Sequence, residues 1–213
     1  MKIYIFLVVF AFAKIAICQT DTALTDHHKL LIEHAQKHQD SLSEVYKNPE
    51  TSILSKKQLK KFHGLEFYPI DLKFRVSATF TRTPNSTPFP MATSTGIPRT
   101  YVKYGEVTFD LLGKTHTLSI YQNPTFTATP NHKYADHLML GFTDYTSGDG
   151  SYGGGRYVDI GISDIRDNQL IIDFNKAYNP YCAYTEGYSC AIPPDDNDVT
   201  IRIEAGVKDY GKH

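Results

Sequence analysis

The amino-terminal part of the chain has apolar residues at helical spacing in an otherwise polar segment. Residues 25–46 predict an amphipathic helix, because their apolar positions recur every three or four residues. Thr25 or Asp26 is suited to cap its start, and Asn48-Pro49 is expected to end it. The apolar positions on the shared face are Leu31, Ala35, Leu42 and Val45.

The period of the hydrophobic pattern changes from helical to two residues beyond Gly64. Before that point, residues 55–62 (SKKQLKKF) predict a second, short helix with Ser55 as its N-cap. The segment LKFRVSATF then alternates apolar and polar positions, which is typical of a half-buried strand. Its inward positions are Phe74, Val76, Ala78 and Phe80.

Short strands separated by turn residues fill the rest of the chain. Val107, Phe109 and Leu111 alternate before a turn at Gly113-Lys114, and Leu118 and Ile120 return in the next strand of a hairpin. Further strands are predicted at residues 138–142, 158–162, 170–174 and 199–205. Residues 83–98, which contain four prolines, predict a surface loop or lid.

These elements predict a mainly β fold. We expect an antiparallel barrel or sandwich of about seven strands, preceded by one or two N-terminal helices. The predicted organisation is a signal peptide at residues 1–18, a helical segment at 19–63 and a β-rich domain at 64–213.

The signal peptide is predicted from the first residues. Lys2 supplies a positive start, and residues 3–13 form an apolar run that is too short to span a bilayer. Ala16 and Cys18 are small residues at the positions expected before a cleavage site. Cleavage after Cys18 would leave an exported protein, periplasmic or extracellular, with no stable membrane span. Lipidation of Cys18 is the alternative, which Ile17 disfavours.

Cleavage at that site would leave two cysteines, Cys182 and Cys190. An even pair in an oxidising compartment predicts a disulfide. The alternative is a reactive thiol or metal-binding pair, although the spacing is not CxxC.

Charge excludes one class of partner. The chain has 22 Lys and Arg against 23 Asp and Glu, a net charge of -1, so no field attracts nucleic acid. With 15 Tyr and 12 Phe, an aromatic-rich interior is expected.

Neither metal nor cofactor binding is predicted. His34 and His38 have the i, i+4 spacing that can chelate zinc, but no HExxH motif completes a site. The carboxylates of Asp195, Asp196 and Asp198 suit calcium but lack the EF-hand pattern, and a solvated turn is the simpler interpretation.

Residues 144–157 (DYTSGDGSYGGGRY) form a glycine-rich stretch that ends near Arg156. One interpretation is an anion site made by backbone N–H groups and this guanidinium. The other is a structural hairpin or bulge with Arg156 in an internal salt bridge.

The segment DFNKAYNPYCAY supplies further candidates. Asp173 is expected to form a buried charge pair with Arg156. The alternative is that Asp173 is a general base or a metal ligand, with Asn175 and Asn179 as hydrogen-bond donors to a substrate. The segment alone leaves both alternatives open.

Several unusual strings occur in one order from about Ser55 to the C-terminus: GLEFYPID, MATSTG, YVKYGEV, SYGGGRYVDI and DFNKAYNPYCAY. In these the chain resembles the bacterial and archaeal family named domain of unknown function 1684. The resemblance implies a compact, often exported domain, and it brings no activity, substrate or cofactor.

Two functional hypotheses follow. The first is a structural or binding module for a small polar ligand such as a sugar, held at an aromatic-lined end of the β domain. Its tyrosines are Tyr152, Tyr157, Tyr178, Tyr181 and Tyr184. The second is a hydrolase around Arg156, Asp173 and Asn175, with Asp173 or His137 as base and no GxSxG nucleophile motif. The candidate ligand-binding residues are Tyr152, Arg156, Tyr157, Asp173, Asn175 and Asn179.

Overall fold

A computed structural model of the chain describes the backbone of residues 4–211 and the side chains of residues 24–211. The helices are α1 (Tyr4–Lys47), α2 (Lys56–Leu59) and α3 (Pro124–Ala128). The strands are β1 (Arg75–Arg82), β2 (Phe89–Met91), β3 (Arg99–Leu111), β4 (Lys114–Gln122), β5 (His137–Asp144), β6 (Arg156–Gly161), β7 (Gln169–Asp173) and β8 (Asp198–Val199).

One sheet in the order β6-β5-β4-β3-β1-β7 curls into a nearly closed, mainly antiparallel barrel, which confirms the predicted fold class. Strand β2 pairs with β3, and β8 pairs in parallel with β5. The two ends of the sheet, β6 and β7, approach each other without forming a ladder. This seam lies beside α1.

Strand alternation produces two apolar layers. Inward side chains such as Phe109, Leu140 and Ile172 fill the barrel. The strands around β5 also bury their outward side, where Tyr121 and Met139 belong to a second cluster. Strand β5 is therefore buried on both faces, which explains its continuous apolar run.

Helix α1 occurs where the sequence predicts a helix, but its bounds and its packed face differ. It runs without interruption through Thr25 and Asp26, so neither residue caps its start. Val45 is exposed, whereas Gln39 and Tyr46 are buried. The buried Gln39 side chain donates from Nε2 to the carbonyl of Asn175 at 2.8 Å, which makes a polar side chain favourable at this contact.

The predicted second helix is confirmed in a shortened form. Ser55 caps α2 through a capping box with Gln58. The proline-rich stretch includes one regular element, because β2 pairs with β3 despite Pro90. Proline is tolerated in an edge strand, because no neighbouring strand needs the N–H that it lacks.

The predicted strand at residues 199–205 is largely wrong. Only β8 is regular, although Val199, Ile201, Ile203 and Ala205 are buried alternately as a strand pattern requires. Past Val199 this segment is bonded mainly by buried side chains of the glycine-rich stretch instead of by a neighbouring strand.

The predicted signal peptide, residues 1–18, has side chains that lie outside the described residues. Within the described part of the chain, none of the helices combines the length and apolar character needed to cross a bilayer.

Candidate functional site

The outward face of β5 and β6 presents polar and aromatic side chains to a cleft. Leu138 and Leu140 point into the barrel, so His137 and Met139 face outward by strand alternation. Antiparallel pairing places Asp159 of β6 opposite Met139. This register brings His137 and Asp159 together on the outer surface.

Two irregular segments form the walls of this cleft, which we call the aromatic cleft. One wall follows β7 and carries Tyr178, Tyr181 and Cys190, and the other lies around α3 and carries Phe126 and Tyr134. The volume is about 290 Å3. The full lining comprises Tyr101, Phe126, Tyr134, His137, Met139, Tyr157, Tyr178, Pro180, Tyr181, Ser189, Cys190 and Ala191.

A short hydrogen-bond chain lies at the edge of the aromatic cleft. The Oδ1 atom of Asp159 is 3.2 Å from Nε2 of His137 and accepts a bond of 2.6 Å from the Tyr178 hydroxyl. Partial burial opposes ionisation, but the hydrogen bonds from His137 and Tyr178 outweigh it and lower the pKa of Asp159. The carboxylate is therefore ionised at neutral pH and remains 61% exposed.

Burial also determines the protonation state of the tyrosines in the cleft. It raises the pKa of Tyr178 well above its usual value, with the charge of Asp159 as the next cause. Burial likewise raises the pKa of Tyr157, whose hydroxyl donates to the carbonyl of Ala191. Both phenols are thus neutral donors, and their rings keep fixed orientations.

Two predicted tyrosines lie elsewhere. Tyr184 is buried beside Tyr46, with ring centroids 4.7 Å apart, in a cluster under α1. Tyr152 packs against the same cluster, and its hydroxyl lies 3.8 Å from Sγ of Cys182. Of the five tyrosines grouped by sequence, Tyr157, Tyr178 and Tyr181 meet in the aromatic cleft.

Arg156 is a structural residue and its ionic partner is Asp144, so the predicted pair with Asp173 is wrong. The Arg156 side chain has no exposed surface, and its Nη2 atom donates to Asp144 Oδ1 at 3.0 Å. It also donates to the carbonyls of Ile203 at 2.9 Å and Ala205 at 2.5 Å. The structure therefore has the internal salt bridge of the second interpretation, and in this conformation the guanidinium has no surface exposed to an anion.

Asp173 is the last residue of β7 and organises the turn that follows. Its Oδ1 accepts from the backbone N and the Nδ2 of Asn175, at 3.1 and 3.0 Å. It lines a separate polar cleft of about 320 Å3 at the seam, together with Arg75 and Lys176. Asp173 thus lines a cleft, but a different one from the aromatic cleft.

The two predicted asparagines support backbone segments. Asn175 bonds the backbone of Asp71 through both amide atoms at 3.0 Å, and Asn179 donates to the carbonyl of Lys208 at 3.0 Å. Neither has exposed surface. Both are therefore inaccessible to a substrate in this conformation.

Metal ligation finds no support among the side chains that the structure describes, since no three His, Cys, Asp or Glu residues cluster suitably. His34 instead lies 3.2 Å from Nζ of Lys176 through its Nδ1. The acidic turn carries Asp195 and Asp196 at the start of a 3-10 turn, Asp195–Asn197.

Cys182 and Cys190 are free thiols in the structure, so the predicted disulfide is absent from it. The fold nevertheless brings them together, because the backbone N–H of Cys182 donates to Sγ of Cys190 at 3.4 Å.

Sequence reasoning missed Tyr101, Phe126, Tyr134 and Met139 as cleft residues. A usable signal exists for Met139, which sits out of phase with the inward Leu138 and Leu140 in its strand. Phe126 and Tyr134 lie in and after α3, where no strand periodicity indicates their direction.

Comparison with known proteins gives a family but no activity. A solution NMR structure of an uncharacterised protein from Haloarcula marismortui is similar, with 26% identity and a TM-score of 0.66, covering 91% of this chain and all of that one. No curated protein matches the chain. The family described as "Protein of unknown function (DUF1684)" matches residues 60–208, which include every strand of the barrel. The chain therefore belongs to this family of unknown function.

Proposed function

We propose that the protein is a binding module for a small polar ligand, which it holds in the aromatic cleft. The observation that carries this proposal is an open cavity of about 290 Å3 with aromatic walls, two of whose lining residues, His137 and Tyr178, are hydrogen-bonded to the ionised carboxylate of Asp159 just outside the lining. Binding sites for small molecules are typically concave and largely apolar, with a few polar groups that orient the ligand.

The charge of the cleft favours an organic cation over an anion. Aromatic faces attract ammonium groups through the negative charge of their π systems, and the Asp159 carboxylate adds to that attraction. The rings of Tyr178 and Tyr181 supply such faces. The ring of Tyr134 already carries the ammonium group of Lys133, whose Nζ lies 4.5 Å from the ring centroid. A sugar stacked on the same rings is the alternative ligand of this site.

Choline and its neutral isostere 3,3-dimethylbutan-1-ol provide a direct test. Because they have nearly the same shape, a difference in affinity reports the charge. A cation–π contribution of about 1–2 kcal/mol corresponds to roughly 5- to 30-fold tighter binding of choline. Binding is followed by amide chemical shifts of the 15N-labelled protein, with methyl glucoside as the sugar probe.

Tyr181→Ala should weaken choline binding at least several-fold, because it removes one aromatic face. Tyr145→Ala is the matched control, since Tyr145 is 58% exposed and lies outside the cleft. Binding of methyl glucoside alone would refute the preference for a cation. If none of the three probes shifts cleft residues, the binding proposal is wrong.

The hydrolase alternative has weaker support. Arg156 and Asn175 have no exposed surface, so they offer no atom to a substrate.

We further propose that the chain is exported and that its mature form begins at Gln19. The apolar run of residues 3–13 and the small residues Ala16 and Cys18 support this proposal. Intact-mass measurement of the protein isolated from its native host tests it. An acylated Cys18 at the mature N-terminus, or a chain that keeps residues 1–18, would contradict it.

A further inference from the structure

The segment that holds the two cysteines folds back on itself. Pro180 leads into a 3-10 turn, Tyr181–Ala183, and a loop with Gly187 in the left-handed region (φ 90°) returns the chain to Cys190. Both cysteines are half-buried. The result is a pair of neighbouring thiols that a small molecule can approach.

Cys190 is held in place by the proline-rich stretch. Its backbone N–H donates to Oγ of Ser94 at 3.1 Å, and its carbonyl accepts from the backbone N of Ser94 at 2.8 Å. The next residue, Ala191, forms a β-bridge with Thr93. Because Cys190 is fixed, its distance to Cys182 is defined by the fold.

The two thiols differ in their surroundings. A hydrogen bond from Cys190 is the main cause that lowers the pKa of Cys182, to about 6, and Tyr152 contributes a further donor. Burial raises the pKa of Tyr152 to about 12, so that phenol keeps its proton. Conversely, the pKa of Cys190 is raised, first by its hydrogen bond to Cys182 and then by burial.

We propose that Cys182 and Cys190 form a dithiol site that reacts reversibly with low-molecular-weight disulfides. The Cys182 thiolate is the attacking group and Cys190 is the resolving thiol. The proposed thiol reaction does not depend on the proposed ligand binding, although Cys190 also lines the aromatic cleft.

The reaction balances in two exchanges. The Cys182 thiolate attacks one sulfur of a disulfide RSSR, forming a mixed disulfide and releasing RS⁻, which takes up a proton. Cys190 then loses its proton and attacks Sγ of Cys182, which forms the internal disulfide and releases a second RSH. Two protein thiols are oxidised and one RSSR is reduced to two RSH.

The test uses the full chain and bis(2-hydroxyethyl) disulfide, an uncharged probe, at pH 5.5. Compared with an ordinary cysteine, a thiol of low pKa has a larger thiolate fraction but a less nucleophilic thiolate. At pH 5.5 the gain in thiolate fraction is larger than the loss in nucleophilicity, so Cys182 should react faster. Relative to the same cysteine in guanidinium-denatured protein, we expect Cys182 to react roughly 20-fold faster.

Peptide mapping separates the two thiols. Trypsin leaves both cysteines in one peptide, residues 177–202, and a glutamyl endopeptidase cuts it after Glu186. Cys18 falls on a different peptide. In the unmodified chain, Cys182 and Cys190 together should release two equivalents of 2-mercaptoethanol, in addition to any released by Cys18, and should form an internal disulfide that links the two fragments.

Three variants assign the roles. Cys190→Ser should stop at a mixed disulfide on Cys182, with one equivalent released at that residue. Cys190→Ala should also lose most of the rate at pH 5.5, since alanine cannot donate a hydrogen bond. In Cys182→Ser, Cys190 should react no faster than in denatured protein. Equal rates for folded and denatured Cys182, or a mixed disulfide that persists in the unmodified chain, would overturn the proposal.

Discussion

Replacing Arg156 by alanine leaves the carboxylate of Asp144 as an uncompensated charge on a side chain with no exposed surface. The carbonyls of Ile203 and Ala205 lose their donor at the same time. Breaking a buried ion pair from one side costs about 3–5 kcal/mol. Asp144 keeps the bond from the backbone N of Ile203 at 2.6 Å, which limits the additional loss, so we expect about 4 kcal/mol.

That loss is a large share of the roughly 5–15 kcal/mol by which domains are stable. For a chain of this size it corresponds to a decrease in Tm of about 8–16 °C. The free energy of unfolding is measured by urea titration with far-UV circular dichroism. The double variant Asp144→Ala, Arg156→Met should lose less than the sum of its two single variants, because no charge is then left stranded.

Arg202→Ala is the matched control. Arg202 contacts the same glycine-rich stretch through Asp149 at 2.8 Å, but its side chain is 42% exposed. An exposed ion pair contributes at most about 1 kcal/mol, so this variant should unfold almost like the parent. Equal losses for Arg156→Ala and Arg202→Ala would refute the assignment of Arg156 as a structural residue.

Three further predictions concern stability and are checked by the same unfolding measurement. Burial, and then Lys176, lowers the pKa of His38 below its ordinary value of 6.5. The unfolded chain therefore binds the proton first, stability should fall as the pH drops below about 6.5, and His38→Gln should flatten that decline. Gly155→Ala should cost at least about 2 kcal/mol of stability, since Gly155 has φ 86° and an added Cβ would lie 2.7 Å from a backbone oxygen. The control is Gly153→Ala in the same stretch, whose added Cβ would meet only ordinary contacts and which should be nearly neutral. Asn197→Ala should cost about 2–3 kcal/mol, because three buried hydrogen bonds to β4 and β5 are lost; a cost below 1 kcal/mol would contradict this.

Alternation of apolar residues sufficed to predict an antiparallel barrel or sandwich, because most of the strands have one face toward the core. The same pattern failed at residues 199–205. There the side chains alternate as in a strand, but the backbone groups of Ile203 and Ala205 are bonded by Arg156 and Asp144. Hydrophobic periodicity reports which side chains are buried and carries no information about which groups satisfy the backbone.

The candidate site was predicted less completely for a related reason. The sequence indicates polar residues in turn-rich stretches as candidates, yet Arg156 and Asn175 are fully buried. Local sequence cannot tell a buried polar network from an exposed site, since both use the same residue types. The aromatic cleft joins residues from distant segments, such as Tyr101 and Tyr181, and only the strand order brings them together.

The seam between β6 and β7 has a consequence for the solubility of the folded chain. An unpaired strand edge is a template for pairing with another molecule, and proteins commonly shield such edges with a helix or loop. His34 of α1 lies at this seam beside Val158 and Ile171, and Gln39 anchors the helix to the turn after β7. Helix α1 thus covers the strand edges at the seam. A chain that lacks the residues up to and including Gln39 should self-associate through these edges.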